Sequence, residues 1–235
     1  MVIKNLPFIG WVFDFFPYIF CKNSICYNSP MNDTLGKIFG SAAKVKVMRL
    51  FIFNSEVGFT VPEVSVRAGL SEVVTKKEIQ SLLKAEFIKK KTLVREVEKR
   101  SRMVKEKVQG YIFDEHFPFT YQFRNILMEA TPLRGDVLIR RFNKAGKIKL
   151  IITSGIFIQD PESRLDLMIV GDRLNKTMLD KVVRNLESEI GRELRYAVFE
   201  TVDFKYRVSV LDRLVRDVLD YPHETLLDRM NFVGE

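Results

Sequence analysis

Residues 150–171 read Leu-Ile-Ile-Thr-Ser-Gly-Ile-Phe-Ile-Gln-Asp-Pro-Glu-Ser-Arg-Leu-Asp-Leu-Met-Ile-Val-Gly. Two apolar runs flank a segment of Gly, Pro and acidic residues. The first run, rich in β-branched side chains, predicts a strand from Lys147 to Thr153, and the second predicts one from Leu165 to Val170. Ser154-Gly155 marks the turn out of the first strand, and Asp160-Pro161 marks the loop. A lone carboxylate, Asp166, lies inside the second apolar run. A carboxylate held among apolar residues needs a metal or a cation beside it. Which of these Asp166 has separates an enzyme from a binding protein.

The flanking sequence predicts alternating helices and strands. Before the quoted stretch, Phe119, Phe123, Ile126 and Leu127 recur at helical spacing, which predicts a helix over 119–129 with those four inward. Thr131 caps a second predicted helix with Pro132 at its first position, continuing to about Lys144, and Gly146 ends it. After the stretch, Met178, Val182, Val183, Leu186 and Ile190 form one face of a helix stopped by Gly191. Residues 193–200 alternate as a third strand. A final helix over 203–220 turns Val208, Leu211, Leu214, Val215 and Val218 inward. The order strand, strand, helix, strand, helix behind a helical lead-in predicts a small α/β or α+β unit with a mixed sheet.

This order, with Ile-Thr-Ser154-Gly155 and Ser163-Arg164-Leu165-Asp166-Leu-Met-Ile-Val, resembles the minimal nucleotidyltransferases of the DNA polymerase β superfamily over about 147–204. The resemblance implies a Gly-Ser turn, an Asp-x-Asp strand and a third carboxylate on a later strand. Together these hold two divalent metals and a nucleoside triphosphate. This chain departs from that pattern in three places. Ser154-Gly155 stands where Gly-Ser is expected. Arg164 replaces the first acidic residue, and a guanidinium repels a metal rather than binding it. The third strand offers Arg195, Tyr196, Ala197 and Val198, with no central carboxylate. Arg164 and Asp166, two apart on a predicted strand, share a face, so Arg164 is expected to pair with Asp166 and supply the charge a metal would. Ser154, Gly155, Arg164 and Asp166 therefore read as a vestigial nucleotide site, with no catalytic residue, no metal and no cofactor expected. Asp166 also reads as a charged residue at a domain seam. No Ser/His/Asp spacing, P-loop, dinucleotide fingerprint or His-rich metal motif stands out.

Upstream, Ser41 caps a predicted helix through Asn54 whose buried face is Val47, Met48, Phe51 and Ile52. Thr60 and Glu63 stand at capping-box spacing around Pro62 and start a short helix to about Ala68. Gly69-Leu70 turns the chain, and Ser71 caps a third helix, 72–85, with Thr75, Ile79, Leu82 and Leu83 inward. A basic run follows from Phe87. Between 87 and 109 there are nine Lys/Arg against three Glu, a local net of +6 within a chain of net charge +8. Three helices, a Gly turn between the second and third, then a basic hairpin describe a winged helix-turn-helix. The stretch 60–91 resembles bacterial and archaeal winged-helix regulators, which implies a third helix in the major groove and a wing on the backbone or minor groove. The outward face of that helix presents Glu72, Val73, Lys76, Lys77 and Gln80, and Ser71 and the free N–H groups of the first turn suit a phosphate. The wing carries Lys89, Lys90, Lys91, Arg95, Lys99, Arg100, Arg102, Lys105 and Lys107, a pattern suited to phosphate neutralisation. A solvated charged hairpin, or a winged helix used for protein contact, fits the same residues. No aromatic residue is interleaved with the charge before Tyr111, which disfavours a single-strand platform.

Residues 6–21 are strongly apolar but are interrupted by Asp14 and Pro17 and fall short of a membrane span. No small-residue cleavage site follows, so 1–30 is expected to be an extension, with Met31 as an alternative start. The chain has two cysteines, Cys21 and Cys26, and two histidines, His116 and His223, too few and too scattered for a zinc site. The combined expectation is an α+β chain divided into 1–30, a winged helix-turn-helix over 31–118, and an inactive nucleotidyltransferase-like unit over 119–235. Its expected partners are double-stranded DNA and a second copy of itself, in the cytoplasm, with nucleotide binding not expected. The alternatives are an active metal-dependent nucleotidyltransferase and an RNA- or protein-interaction adaptor.

Overall fold

The computed structural model describes residues 31–99, 102–129, 135–160 and 162–232. The expectations for residues 1–30, for the Thr131 cap with Pro132, and for Arg100 lie outside the described residues.

The first half is helical and ends in a hairpin. Helices α1 (Met31–Ile38), α2 (Ala42–Phe53), α3 (Val61–Ala68) and α4 (Glu72–Lys84) precede β1 (Ile88–Lys99) and β2 (Arg102–Phe113). The starts follow from local chemistry. The Ser41 hydroxyl accepts from the Lys44 N–H, and the Ser71 hydroxyl from the Val74 N–H. Thr60 and Glu63 form a complete capping box with Pro62 in the first turn. Gly69 ends α3 at φ 61°, the left-handed conformation that a Cβ disfavours. Strands β1 and β2 pair antiparallel without interruption from Ile88↔Phe113 to Lys99↔Arg102. At the root of the hairpin, Gly110 and Gly58 lie against Leu93, so closely that a Cβ at either would collide with it.

Helix α5 (Thr120–Glu129) leads out of the hairpin. Only part of its predicted inward face is inward. Leu127 is fully buried and Phe123 packs on the same core, but Phe119 and Ile126 remain 54% and 46% exposed. The first core therefore runs from Leu35 to Leu127 in sequence and includes Val47, Phe51, Ile52, Ile79, Phe87 and Phe113.

The second half is built on a four-stranded mixed sheet, so the chain is α+β. It comprises α6 (Gly135–Phe142), β3 (Lys147–Thr153), β4 (Leu167–Asp172), α7 (Lys176–Ile190), β5 (Tyr196–Glu200), α8 (Thr201–Ser209), α9 (Arg213–Asp220) and β6 (Glu224–Asp228). Sheet order is β5-β4-β3-β6, with β4 antiparallel to β3 and parallel to β5, and β6 antiparallel to β3. The parallel step needs a crossover, and α7 supplies it. Strand β4 is central and buried on both faces, which is why its sequence is a continuous apolar run rather than an alternation. One face packs α6 and α7, through Leu138, Phe142, Val183 and Leu186. The other packs Phe204, Val215 and Val218 of α8 and α9.

Several boundaries differ from the sequence expectation. Strand β4 begins at Leu167, so Arg164 and Asp166 precede it and do not share a strand face. The predicted helix over 203–220 is two helices. The chain breaks at Leu211, which adopts φ 56° and is 66% exposed, and the Asp212 carboxylate recaps α9. In α7, Leu179 is buried where Met178 was expected to be, and Met178 is 37% exposed. Helix α1 and strand β6 were not predicted. The alternation of residues 224–228 is too short and too polar to distinguish from a loop, and its strand state comes from pairing with β3.

The two halves are clasped at the C-terminal end of α7. Arg49, on α2, is 1% exposed. Its Nε donates to the Leu127 carbonyl at 3.1 Å and its Nη1 to the Glu189 carbonyl at 2.9 Å. One guanidinium thus satisfies the ends of α5 and α7, where helix dipoles favour a cation. Burial lowers its pKa to about 10, although the nearby Glu189 pulls the other way. Gly191, at φ 82°, lets the end of α7 approach so closely that a Cβ would meet the Arg49 carbonyl carbon at 2.6 Å. The Asn54 amide bridges the Leu50 and Gly191 carbonyls, each at 2.7 Å.

Candidate functional site

The buried carboxylate comes first, because its partners decide what chemistry it can do. Asp166 is 3% exposed. Oδ1 accepts from the Ile156 N–H at 3.0 Å and from the Arg195 Nη2 at 3.2 Å. Oδ2 accepts from the Arg195 N–H at 2.8 Å and from its Nε at 3.2 Å. The backbone is tied down as well. The Asp166 N–H donates to the Arg195 carbonyl at 2.7 Å, and the Asp166 carbonyl accepts from the Ser154 N–H at 3.0 Å. The Ser154 hydroxyl donates to the Leu165 carbonyl at 2.6 Å. Gly155, at φ 55°, presses against the carboxylate, and a Cβ there would overlap Oδ1. Asp166 therefore joins the turn after β3, the entry to β4 and the entry to β5.

The expected Arg164–Asp166 pair is not formed. Because position 164 lies before the strand, its side chain reaches α9 instead, and Arg164 Nε sits 2.7 Å from Asp217 Oδ2. That contact is charge proximity rather than an aligned hydrogen bond, since the same Asp217 oxygen has no hydrogen-bond partner. The cation on Asp166 is Arg195, which grips it with a side-chain fork and a backbone N–H together. Arg195 was visible in the sequence as a residue where a third carboxylate was expected, but its reach back to Asp166 depends on β4 and β5 lying parallel.

Beside this lock is a cleft of about 690 Å³, lined by Met128, Gly155, Ile156, Gln159, Asp160, Asp166, Arg192, Glu193 and Arg195. Met128 belongs to α5, and Glu193 pairs with Arg67 of α3 at 2.6 Å. The cleft therefore lies at the seam between the halves. Gln159, on its rim, adopts φ 60°, a conformation that costs a non-glycine residue about 1–3 kcal/mol. Among the described residues no group of three His, Cys, Asp or Glu is placed to hold a metal ion.

The second candidate is the outer surface of α4 and the hairpin. Ser71, Glu72, Val73, Lys76, Lys77 and Gln80 are all exposed, while Thr75, Ile79 and Leu82 face the core. Lys76 makes an i,i+4 pair with Glu72 at 3.6 Å. Lys77, Lys90 and Lys91 are exposed and have no ion-pair partner among the described residues. Lys105 and Lys107 are exposed on β2. Lys99 and Arg102 close the described hairpin as a cross-strand pair.

Two basic residues of the expected wing are already engaged. Lys89 is tied to Asp114 at 3.2 Å. Arg95 turns inward, donating to Glu63 at 2.7 Å through Nε and to the Gly58 carbonyl at 2.7 Å. Burial alone would raise the Glu63 pKa, but the Arg95 hydrogen bond, with the N–H and hydroxyl of Thr60, outweighs it and holds the carboxyl below its usual range. Arg95 thereby fixes the hairpin root to the start of α3. Its role was not legible from the sequence, where it is one cation in a run of nine. No family model, curated protein or solved structure matches the chain.

Proposed function

We propose that this protein is a DNA-binding regulator. In this reading α2, α3, α4 and the hairpin form a winged helix-turn-helix, and the sheet unit is a catalytically degenerate nucleotidyltransferase-like body. The observation that carries it is the surface of α4 and β1, where Lys77, Lys90 and Lys91 stand exposed without ion-pair partners among the described residues. Ion pairs satisfy a purely structural charged face, whereas unpaired lysines beside an exposed helix suit phosphate neutralisation and counterion release. Lys76, Gln80 and Val73 then face base edges, the apolar Val73 suiting a thymine methyl. Lys89 and Arg95 drop out of the phosphate set, because their partners are within the fold.

The absence of transfer chemistry in this reading rests on Asp166. A carboxylate with both oxygens taken by N–H donors and a guanidinium has no lone pair free for a divalent cation without breaking the lock. The cleft beside it, bounded by Arg192, suits a small ligand, which makes the body a sensor as well as a scaffold.

Fluorescence anisotropy with pooled duplex DNA at about 50 and 200 mM salt tests the proposal. The expected result is binding that weakens steeply with salt, weakens further in Lys77→Ala and Lys91→Ala, and is little changed in Arg164→Ala. No binding at the lower salt refutes it. In parallel, labelled nucleoside triphosphates with magnesium or manganese test the enzyme reading. Incorporation that Asp166→Ala abolishes would overturn the assignment.

A further inference from the structure

The segments 144–147, Lys-Ala-Gly-Lys, and 173–176, Arg-Leu-Asn-Lys, are distant in sequence and side by side in the fold. The Asn175 N–H donates to the Ala145 carbonyl at 2.7 Å. Gly146 lets the Arg173 carbonyl come so close that a Cβ would meet its oxygen at 2.8 Å. Lys147 is the register partner of Asp172, the residue before Arg173. Where β6 ends, the Arg229 N–H donates to the Lys149 carbonyl at 2.7 Å, and Arg229 Nη1 to the Ile148 carbonyl at 3.0 Å. These contacts gather cations at one end of the sheet, where β3 starts, β4 ends and α7 starts.

Lys144, Lys147, Arg173, Lys176 and Arg229 are exposed, and none has an ion-pair partner among the described residues. Elsewhere in the same half, Arg141, Arg164, Arg207 and Arg216 each have a carboxylate within 3.3 Å. Three carboxylates share the basic end. Asp172 is bridged by Lys149 at 2.7 Å. Glu200 accepts from the Leu174 N–H at 3.4 Å, and Asp228 from the Met230 and Phe232 N–H groups at 2.8 Å each. The first turn of α7 adds no carboxylate. With Lys149 counted, the cations outnumber these three carboxylates, so this end of the sheet is positive. Arg173 sets the patch apart from ordinary surface charge. Its backbone is left-handed, at φ 54°, a conformation that disfavours any residue with a Cβ, and its side chain stands in solvent. Glycine would meet that geometry with less strain, so the fold gives no reason for an arginine.

The layout of the charge selects the ligand. From β6 through β3 to β4 the cations cover about 10 Å, which is the axial rise of about three phosphates along one strand of a duplex. A single small anion would need them to converge on one point. Neither segment contains an aromatic side chain on which an unpaired base could stack. Neither holds an exposed large apolar residue to enter a bilayer. A duplex backbone requires neither. We infer that this end of the sheet is a second contact for the phosphate backbone of duplex DNA, in which the five cations neutralise phosphates and read no sequence. The surface is separate from that of α4. Helix α7 and strand β3 both run about 20 Å from this end, the one to Gly191 at the seam and the other to the Asp166 lock. The inference rests on the DNA-binding reading for its partner and adds a contact made by the other half of the chain.

Anisotropy titrations of the full chain with pooled duplex DNA over a salt series test it. The triple variant Lys144→Ala, Arg173→Gly, Lys176→Ala should lower the slope of log affinity against log salt by about 2–3 and weaken binding on the order of tenfold. Arg173→Gly alone should lower the slope by about 1, while its unfolding temperature holds or rises, because glycine relieves the backbone. An arginine with only a structural role would leave DNA binding unchanged, and that result overturns the inference. Arg213→Ala removes an exposed cation that lies beside Ser163 and Arg164, at the opposite end of the sheet, and should leave the slope as it is. Lys77→Ala and Lys91→Ala report on the α4 surface separately. A loss in those two with none in the triple variant overturns this inference alone, and the converse overturns the α4 contact alone. Sedimentation with phosphatidylserine vesicles is the remaining arm. Vesicle binding that the triple variant loses, with DNA affinity unchanged, assigns the patch to a lipid surface and overturns the inference.

Discussion

Replacing Asp166 with Ala distinguishes a structural lock from a reactive site. The substitution removes the acceptor for two backbone N–H groups, those of Ile156 and Arg195, and for the Arg195 guanidinium. Each stranded, largely buried donor costs about 1–3 kcal/mol. The guanidinium is half exposed, its side chain retaining 52% of its surface, and rehydrates at little cost. The expected loss is therefore about 2–6 kcal/mol. Arg195→Ala should cost less, about 1–2 kcal/mol, because both backbone donors still hold the carboxylate. Urea unfolding followed by circular dichroism, with equal slopes as the check on two-state behaviour, measures both. A reactive site predicts the reverse, since removing a functional carboxylate is commonly neutral or stabilising. A loss below about 1 kcal/mol for Asp166→Ala, or an equal loss for Arg195→Ala, refutes the lock.

Arg49→Met keeps most of the side-chain volume but strands the helix-end carbonyls of Leu127 and Glu189, and thermal unfolding should show a loss of about 2–4 kcal/mol. Gly191→Ala should separate the halves, because the new Cβ meets Arg49 and Leu50 backbone within 2.7 Å at a positive φ; limited proteolysis would show α7 cut faster. For Glu63 the folded pKa lies below the ordinary 4.5, so its stabilisation is present above that pH and is lost as pH falls through the folded value. The stability gap between wild type and Glu63→Gln should accordingly shrink as pH drops below 4.5, and a gap that stays constant with pH would contradict the Arg95–Glu63 clasp.

The sequence alone determined the local structure of the first half. Ser41, Thr60 with Glu63, and Ser71 are caps whose side chains act within one turn of their own positions, so their effect is readable without a fold. Gly69 and Gly191 likewise mark helix ends through their own backbone freedom. The continuous apolar run of β4 announced a strand, while its burial on both faces came from its central place in the sheet. What the tertiary structure decided are the partners brought from a distance. Asp166 was expected on Arg164, two residues away, and is held by Arg195, 29 residues away, through a parallel pairing that no local pattern encodes. Arg95 looked like one wing cation among nine and is a fastener, because Glu63 lies under it. Phe119 and Ile126 carried the period of a buried face, and the core closed without them. A periodic pattern reports that side chains share a side, whereas only packing sets how wide the buried side is.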